Sequence, residues 1–165
     1  MKKLLAVSVV IATLSIVWGG QAWAQDQKEL TFSGTDYFSG TAKVFRLDAD
    51  HVITQIETMG VKVNDSGDGP FHKAATHIVG LSYTGKGQES KGILFLTWVD
   101  KDGDKVVWEL SGDWSSGKGK LIGGTGKYAD WEQGTMDYAL QHPKGFPEGT
   151  FRGIARDENI RVTTK

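Results

Sequence analysis

The stretch Trp98–Trp131, WVDKDGDKVVWELSGDWSSGKGKLIGGTGKYADW, decides the fold class of this chain. Apolar and β-branched residues run into Asp102-Gly103 and out of it again, and a glycine-rich segment follows. Asp-Gly between two such runs is a strong hairpin signal, because the central residues of a type I′ turn need positive φ. The rest of the chain has the character of further strands added to this hairpin.

A two-residue loop at Asp102-Gly103 predicts how the hairpin pairs. Val99 would lie opposite Val106, Thr97 opposite Trp108, and Phe95 opposite Leu110, so that these six side chains share one face. The other face would carry Leu94, Leu96, Trp98, Val107 and Glu109. Because both faces are largely apolar, we expect the second one to be covered by a terminal segment or by another subunit.

The remaining chain predicts an all-β sandwich or barrel. Turn signals recur about every 8–12 residues, and no segment after the N-terminus shows a convincing helical period. Two loops, Asn64–Phe71 and Gln141–Glu148, are rich in turn-forming residues. The expected strands are Glu29–Gly34, Gly40–Leu47, His51–Met59, Ala74–Tyr83, Gly92–Val99, Lys105–Ser111, Gly119–Ile122, Gly134–Leu140 and Thr150–Arg156, with a short last strand near Ile160–Thr163.

Residues 1–24 have the layout of a cleaved secretory signal peptide. Met1–Lys3 is positively charged, Leu4–Val17 is almost wholly apolar, and Ala22-Trp23-Ala24 offers a cleavage site before Gln25. The apolar run is shorter than the ~20 residues that a membrane-spanning helix needs, although an uncleaved anchor is the alternative. We therefore expect residues 25–165 to form one domain, periplasmic or secreted in a bacterium, without stable membrane insertion.

Charge and cysteine content narrow the possible partners. The 165-residue chain has a formal net charge of −1, and loss of Lys2 and Lys3 with the signal peptide changes it to −3, since no acidic residue precedes Gln25. This weak negative balance argues against nucleic acid as a partner. The chain has no cysteine, so its stability must come from a hydrophobic core.

Two motifs are reminiscent of ion or phosphate sites but lack the residues those sites need. Asp100-x-Asp102-x-Asp104 has the opening spacing of a calcium loop, but Lys105 and Ser111 stand where an EF-hand needs glycine and glutamate. Gly123–Lys127, GGTGK, lacks the first glycine and the Ser/Thr of a P-loop, and no βαβ unit surrounds it. We predict a structural turn and a glycine bend, with no metal and no cofactor.

Several residues are candidates for a site. His77 alternates with apolar residues, which suits either a core histidine or a ligand contact. Burial of Glu109 would raise its pKa and make it a candidate acid or base, whereas a subunit contact would pair it with a basic residue. No Ser-His-Asp or Cys-His arrangement can be argued. Four tryptophans form either core packing or the aromatic wall of a pocket: Trp98, Trp108, Trp114 and Trp131.

The order of these motifs resembles a known family. An Asp100–Asp104 hairpin, a strand with Trp108, the segment Ile122–Ala129 (IGGTGKYA) and Gln133-Gly134-Thr135 follow one another as in the allene oxide cyclase-like and dirigent-like barrels. The resemblance covers mainly Lys91–Leu140, and Asp130-Trp131 stands where that family often has glycine.

This resemblance implies an eight-stranded antiparallel, calycin-like β-barrel, closed or nearly closed, around a hydrophobic cavity. It also implies a dimer or a trimer. Plant members cyclise an unstable oxylipin epoxide or steer radical coupling, and no catalytic residue can be carried over position by position.

Three functions remain open. The first is a barrel that binds a small hydrophobic molecule, which requires a cavity larger than one or two waters. The second is a cyclase or isomerase that holds a reactive apolar substrate, with Glu109 or His77 as its polar group. The third is an oligomerising interaction module that uses the face of Leu94, Leu96 and Trp98. The predicted ligand-binding residues are Phe95, Trp108, His77, Tyr83 and Glu109, with His77 and Tyr83 as the polar handles.

Overall fold

A computed structural model describes residues 28–88, 90–113, 115–142, 147 and 149–165. The predicted signal peptide and Trp114 lie outside the described residues. One 3₁₀ turn, Gly126–Tyr128, precedes the seventh strand, and no helix in the described part of the chain is long and apolar enough to cross a membrane. The strands are β1 (Glu29–Arg46), β2 (Val52–Asn64), β3 (Ala74–Thr84), β4 (Lys91–Val99), β5 (Lys105–Gly112), β6 (Ser116–Gly124), β7 (Trp131–Gln141) and β8 (Thr150–Thr164).

The eight strands form a closed antiparallel barrel. Each strand pairs with the next along the chain, and β8 returns to pair with β1. Side chains alternate along each strand between a buried inner face and a more exposed outer face, which is the period of two expected of a barrel wall. The predicted all-β, eight-stranded barrel is confirmed.

Two pairs of predicted strands are in fact single long strands. The predicted strands Glu29–Gly34 and Gly40–Leu47 are both parts of β1, and the two predicted at the C-terminus are both parts of β8. Gly40 lies within β1, where it lets the backbone of β2 come close, because a β-carbon there would collide with the carbonyl oxygen of Glu57. In β8 the pairing with β1 shifts register between Asp157 and Ile160, beside Asn159, which has a φ of 51°.

The predicted pairing of the central hairpin is wrong by one residue. The prediction placed Val99 opposite Val106, but in the structure Trp98 lies opposite Val106. The reason is that the β4–β5 loop has three residues and not two. The amide of Asp100 donates to the carbonyl of Asp104 (2.9 Å), and within the loop Gly103 takes positive φ, at 88°. This matches a type I turn closed by a glycine bulge, a common three-residue hairpin loop.

This shift changes which residues of β4 and β5 share a face, because Leu96 now lies beside Trp108 and Phe95 beside Glu109. The face with Leu94, Leu96 and Trp98 points into the barrel, where the opposite wall covers it, so neither a terminal segment nor another subunit is needed there. Phe95 and Glu109, which pair with each other, point outward.

The Asp-rich turn and the GGTGKYA segment hold each other in place. The carboxylate of Asp100 accepts hydrogen bonds from the backbone amides of Asp102 (2.8 Å) and Asp104 (3.1 Å) and from the hydroxyl of Tyr128 (2.9 Å). The ammonium of Lys127 lies 2.5 Å from the same carboxylate. Burial alone would raise the pKa of Asp100, but the hydrogen bonds from Lys127, Asp102 and Tyr128 outweigh it and lower that pKa to about 2.

We expect Asp100→Ala to lower the free energy of unfolding by about 2–3 kcal/mol, because it leaves two turn amides and the Tyr128 hydroxyl without their acceptor. Asp102→Ala is the matched control, since the Asp102 carboxylate is largely exposed, and it should change stability little. Urea unfolding of both variants tests this. Equal losses in the two would show that Asp100 has no special role.

One end of the barrel is closed by packed aromatic rings. Phe71, in the β2–β3 loop, packs at a tilt against Tyr128 and Trp98, with ring centroids 4.3 Å and 5.6 Å apart. Trp131 packs edge-on against Tyr128 at 5.0 Å. These rings are buried and fill that end, so access to the interior has to come from the opposite end.

Candidate functional site

Three charged side chains lie at mid-height inside the barrel. Asp36 on β1 and Lys62 on β2 face each other in the strand register, and Asp157 comes from β8 on the other side of β1. The Lys62 ammonium lies 2.6 Å from Asp157 and 3.6 Å from Asp36. All three side chains are at most 1% exposed. Asp36, Lys62 and Asp157 together form a fully buried charged floor.

Neutral donors complete the hydrogen bonding of Asp36. The Thr76 hydroxyl donates to one carboxylate oxygen, and the Trp98 indole nitrogen donates to the other at 3.2 Å. Thr76 and Trp98 face each other across β3 and β4, so the strand register brings both donors to the same carboxylate. The Lys62 ammonium also lies 4.2 Å from the centre of the Trp98 ring, in a cation–π contact.

Two carboxyl groups share one ammonium in this floor, and that arrangement favours a bound proton. Burial of Asp157, together with the charge of neighbouring Asp36, raises the pKa of Asp157 well above its usual value, and Lys62 offsets only part of the effect. Asp157 is therefore the group in the floor that retains a proton above the pH at which an ordinary aspartate loses it.

An apolar pocket lies between the charged floor and the open end of the barrel. Asp36 and Asp157 form its base, and Phe151 and Leu140, both partly exposed, stand at its mouth. Phe38 stacks on Phe151 with ring centroids 5.9 Å apart. The walls between base and mouth are Phe38, Ile56, Ile78, Leu94, Leu96, Leu110, Tyr138 and Ala155.

The pocket is narrow as it stands. The space between its atoms, out to the mouth, sums to about 430 Å³, but the centre of a water molecule can reach only about 20 Å³ of it. The smaller volume, about 20 Å³, decides which molecules fit, and it corresponds to roughly one water. The resting interior thus falls short of the cavity that the ligand-binding hypothesis requires, and a ligand would have to move the side chains at the mouth.

Four of the five predicted ligand-binding residues lie on the outer face of the barrel. Phe95 is 39% and Tyr83 41% exposed, the carboxylate of Glu109 is exposed, and His77 is paired with exposed Glu57 at 3.5 Å. The predicted interior position of these four is therefore wrong. The one-residue shift accounts for Phe95 alone, whereas His77 and Tyr83 lie on the outer face of β3 and Glu109 on the outer face of β5. Burial, the condition for treating Glu109 as an acid or base, is not met.

Trp108 alone among the five points inward. It is fully buried and packs edge-on against Trp98 at 5.5 Å, within the core and outside the residues that line the apolar pocket.

Sequence reasoning missed the charged floor. A signal for it exists, because alternation along a strand places Asp36 on the face of Phe38, and Lys62 on the face of Ile56. In the described part of the chain, no group of three or more His, Asp or Glu side chains is arranged to hold a metal ion.

Fold and site together define a class: a closed eight-stranded antiparallel barrel with an apolar pocket at one end, a buried charged floor at mid-height and an aromatic plug at the other end. Among solved structures, the chain is similar to the pterocarpan synthase dirigent protein GePTS1, with a TM-score of 0.53 and 11% sequence identity over 86% of this chain and 88% of that one.

At this identity the likeness concerns the fold, and the barrel implied by the sequence resemblance agrees with it. No protein-family model matches the chain. No curated protein matches it either.

Proposed function

We propose that this protein is a periplasmic or secreted barrel that binds a small, mainly hydrophobic molecule in the apolar pocket. The observation that supports it is the contrast between the pocket's walls and its base, since small-molecule sites are usually apolar clefts with a few convergent polar groups. The ligand would be an apolar body with one polar group that reaches Asp36 and Asp157.

Export is the part of this proposal that rests on residues 1–24 alone. An exported chain whose mass corresponds to a start at Gln25 supports it. Full-length protein retained in the cytoplasm contradicts it.

Ligand entry depends on the aromatic pair at the mouth. Phe151 is partly exposed and belongs to β8 next to the β7–β8 loop, so its side chain can swing outward without disturbing the buried core. Side-chain rotations of this kind are common on binding. Movement of Phe151 away from Phe38 would open the pocket down to the charged floor.

Filling the pocket provides the test. We expect a neutral fluorescent probe, N-phenyl-1-naphthylamine, to bind the native protein and to bind Ala155→Leu at least about tenfold more weakly, because three added carbons occupy the space beside the floor. Ala139→Leu is the matched control: Ala139 lies on the exposed outer face of β7 and its variant should bind as the native protein does. Fluorescence titration gives all three affinities.

Two outcomes would contradict the proposal. Equal binding by the native protein and Ala155→Leu would place the probe outside the pocket. No binding by the native protein would remove the experimental basis for a ligand site.

A cyclase or isomerase, related to the allene oxide cyclase-like and dirigent-like barrels, is the second candidate. The buried carboxyls favour it, since Asp157 can hold a proton next to an apolar substrate and donate it. The test uses a small molecule that co-purifies with the protein from its host. If Asp157→Asn binds and converts that molecule as the native chain does, the carboxyl has no catalytic role.

Self-association is proposed for the outer face of β1–β4. Large apolar side chains are exposed there, including Met59 (68%), Leu81 (55%) and Ile93 (55%), and the register sets Leu81 beside Ile93. Such a contiguous apolar face suits a second copy of the chain, as a dimer or a trimer.

We expect native mass spectrometry to report an oligomer that Leu81→Lys converts to a monomer, because the lysine places a charge within the contact. Gln133→Lys, on the outer face of β7 across the barrel, is the control and should leave the oligomer intact. A monomeric native protein would contradict self-association.

A further inference from the structure

A small polar branch adjoins the apolar pocket near its mouth. Ser82, Ser90 and Asp113 line it, and the two spaces share the side chains of Leu94, Leu110 and Tyr138. The branch leaves about 10 Å³ open to the centre of a water molecule, which is room for one water.

Two glycines create this branch. Gly92 on β4 and Gly112 on β5 face each other in the register, and both stand at inward positions of their strands. A β-carbon on Gly92 would press against the side chain of Ser82, and one on Gly112 would lie 2.9 Å from the Tyr138 hydroxyl. The missing side chains therefore leave space beside Ser82.

The side chain of Ser82 lines this space. Ser82 is 5% exposed, and its oxygen makes no hydrogen bond with the described residues. Thr76, on the same face of β3, is also buried, but its hydroxyl donates to Asp36. A buried hydroxyl without a partner is unfavourable, so an unpaired one beside an open space is best explained by a group that binds there.

We infer that the Ser82 branch is a second polar subsite, which takes a neutral hydroxyl or carbonyl group of the bound molecule. The inference rests on the proposed function and names a feature of the ligand: an apolar body with one polar group for the charged floor and another for Ser82. Thr76, the donor to Asp36, and Ser82 are six residues apart on β3, about 20 Å along the strand at ~3.3 Å per residue, so the molecule is elongated in the direction of that strand.

The surroundings of the branch favour a neutral group over an anion. Hydrogen bonds from the Ser115 hydroxyl and from nearby backbone amides lower the pKa of Asp113, which keeps this neighbour negatively charged. Burial raises the pKa of Tyr138 to about 12, so its phenol remains neutral. A carboxylate or phosphate would meet repulsion from Asp113, whereas a hydroxyl or carbonyl would not.

A pair of nearly isosteric compounds tests the subsite. The affinities of 2-naphthol and 2-methylnaphthalene are measured by displacement of N-phenyl-1-naphthylamine from the native protein and from Ser82→Ala. We expect Ser82→Ala to lower the ratio of hydroxyl to methyl affinity by about five- to tenfold, since only the naphthol loses a hydrogen bond. Ser111→Ala, on the exposed outer face of β5, should leave that ratio unchanged.

The outcomes separate this inference from the proposed function. If neither compound displaces the probe from the native protein, the proposed function fails. If both displace it and the ratio is the same in Ser82→Ala, the subsite is overturned and the branch holds only a water.

Discussion

Lys62→Met is expected to lower the free energy of unfolding at pH 7 by about 3–5 kcal/mol, which is typical of a buried ion pair that loses one partner. The native ammonium lies between two carboxyl groups that have no access to water, 2.6 Å from Asp157 and 3.6 Å from Asp36. Methionine fills similar volume but carries no charge, so the floor keeps a buried carboxylate without its counter-ion.

Chemical unfolding in urea measures this loss, and Lys118→Met provides the matched control. Lys118 also pairs with an aspartate, Asp137, at 2.9 Å, but its side chain is 82% exposed, so its removal should matter little. A further variant in which Asp36 and Asp157 become asparagine in the Lys62→Met background should recover part of the loss. A cost for Lys62→Met no larger than that for Lys118→Met would contradict the importance of the floor.

The difference in unfolding free energy between Asp157→Asn and the native chain is expected to shift in favour of the variant as the pH rises above about 4. The folded native chain retains a proton on Asp157, whereas the unfolded chain releases it near 3.8. Between those two pKa values the folded state binds more protons, so native stability falls with rising pH, by about 1.4 kcal/mol per pH unit from this group. Asparagine does not titrate, so the variant lacks this loss.

The quantity to compare is the difference in unfolding free energy between the two proteins from pH 4 to pH 8. Surface carboxylates such as Asp65 and Asp137 have lowered pKa values through Arg156 and Lys118, and they lose stability only on acidification. Their contribution is common to both proteins and cancels in the difference. A difference that stays constant across this range would mean that Asp157 is already ionised in the folded protein at pH 4.

The turn chemistry explains why the fold class was accessible from sequence and the register was not. Asp102-Gly103 correctly predicts a hairpin, but Asp-Gly suits both a two-residue turn and the last two positions of a three-residue turn. The choice between them depends on hydrogen bonds of Asp100 with Asp104 and with Tyr128, 28 residues from Asp100 in the chain. One residue of error in the loop reversed which face of β4 lies beside the inward face of β5.

The candidate site was harder to predict for a related reason. Asp36 and Lys62 are unremarkable in sequence, since charged residues in strands usually face solvent. Their burial depends on a third charge, Asp157, brought alongside when β8 closes the barrel. Strand alternation could have placed Asp36 and Lys62 inward one at a time, but the proximity of Asp157 to both follows only from closure.

Closure also bears on how the protein avoids uncontrolled aggregation. The ladder between β1 and β8 ends at Thr41 and Thr150, and the amide of Ala42 still donates to the carbonyl of Gly149 (3.0 Å). Among the described residues, no strand pairs with this side of β1 from Lys43 onward. Lys43 and Arg46 stand on that stretch, and a second molecule that tried to continue the sheet there would bring like charges together. Growth of a fibril by strand addition is thereby discouraged at the place where the ring of backbone hydrogen bonds is interrupted.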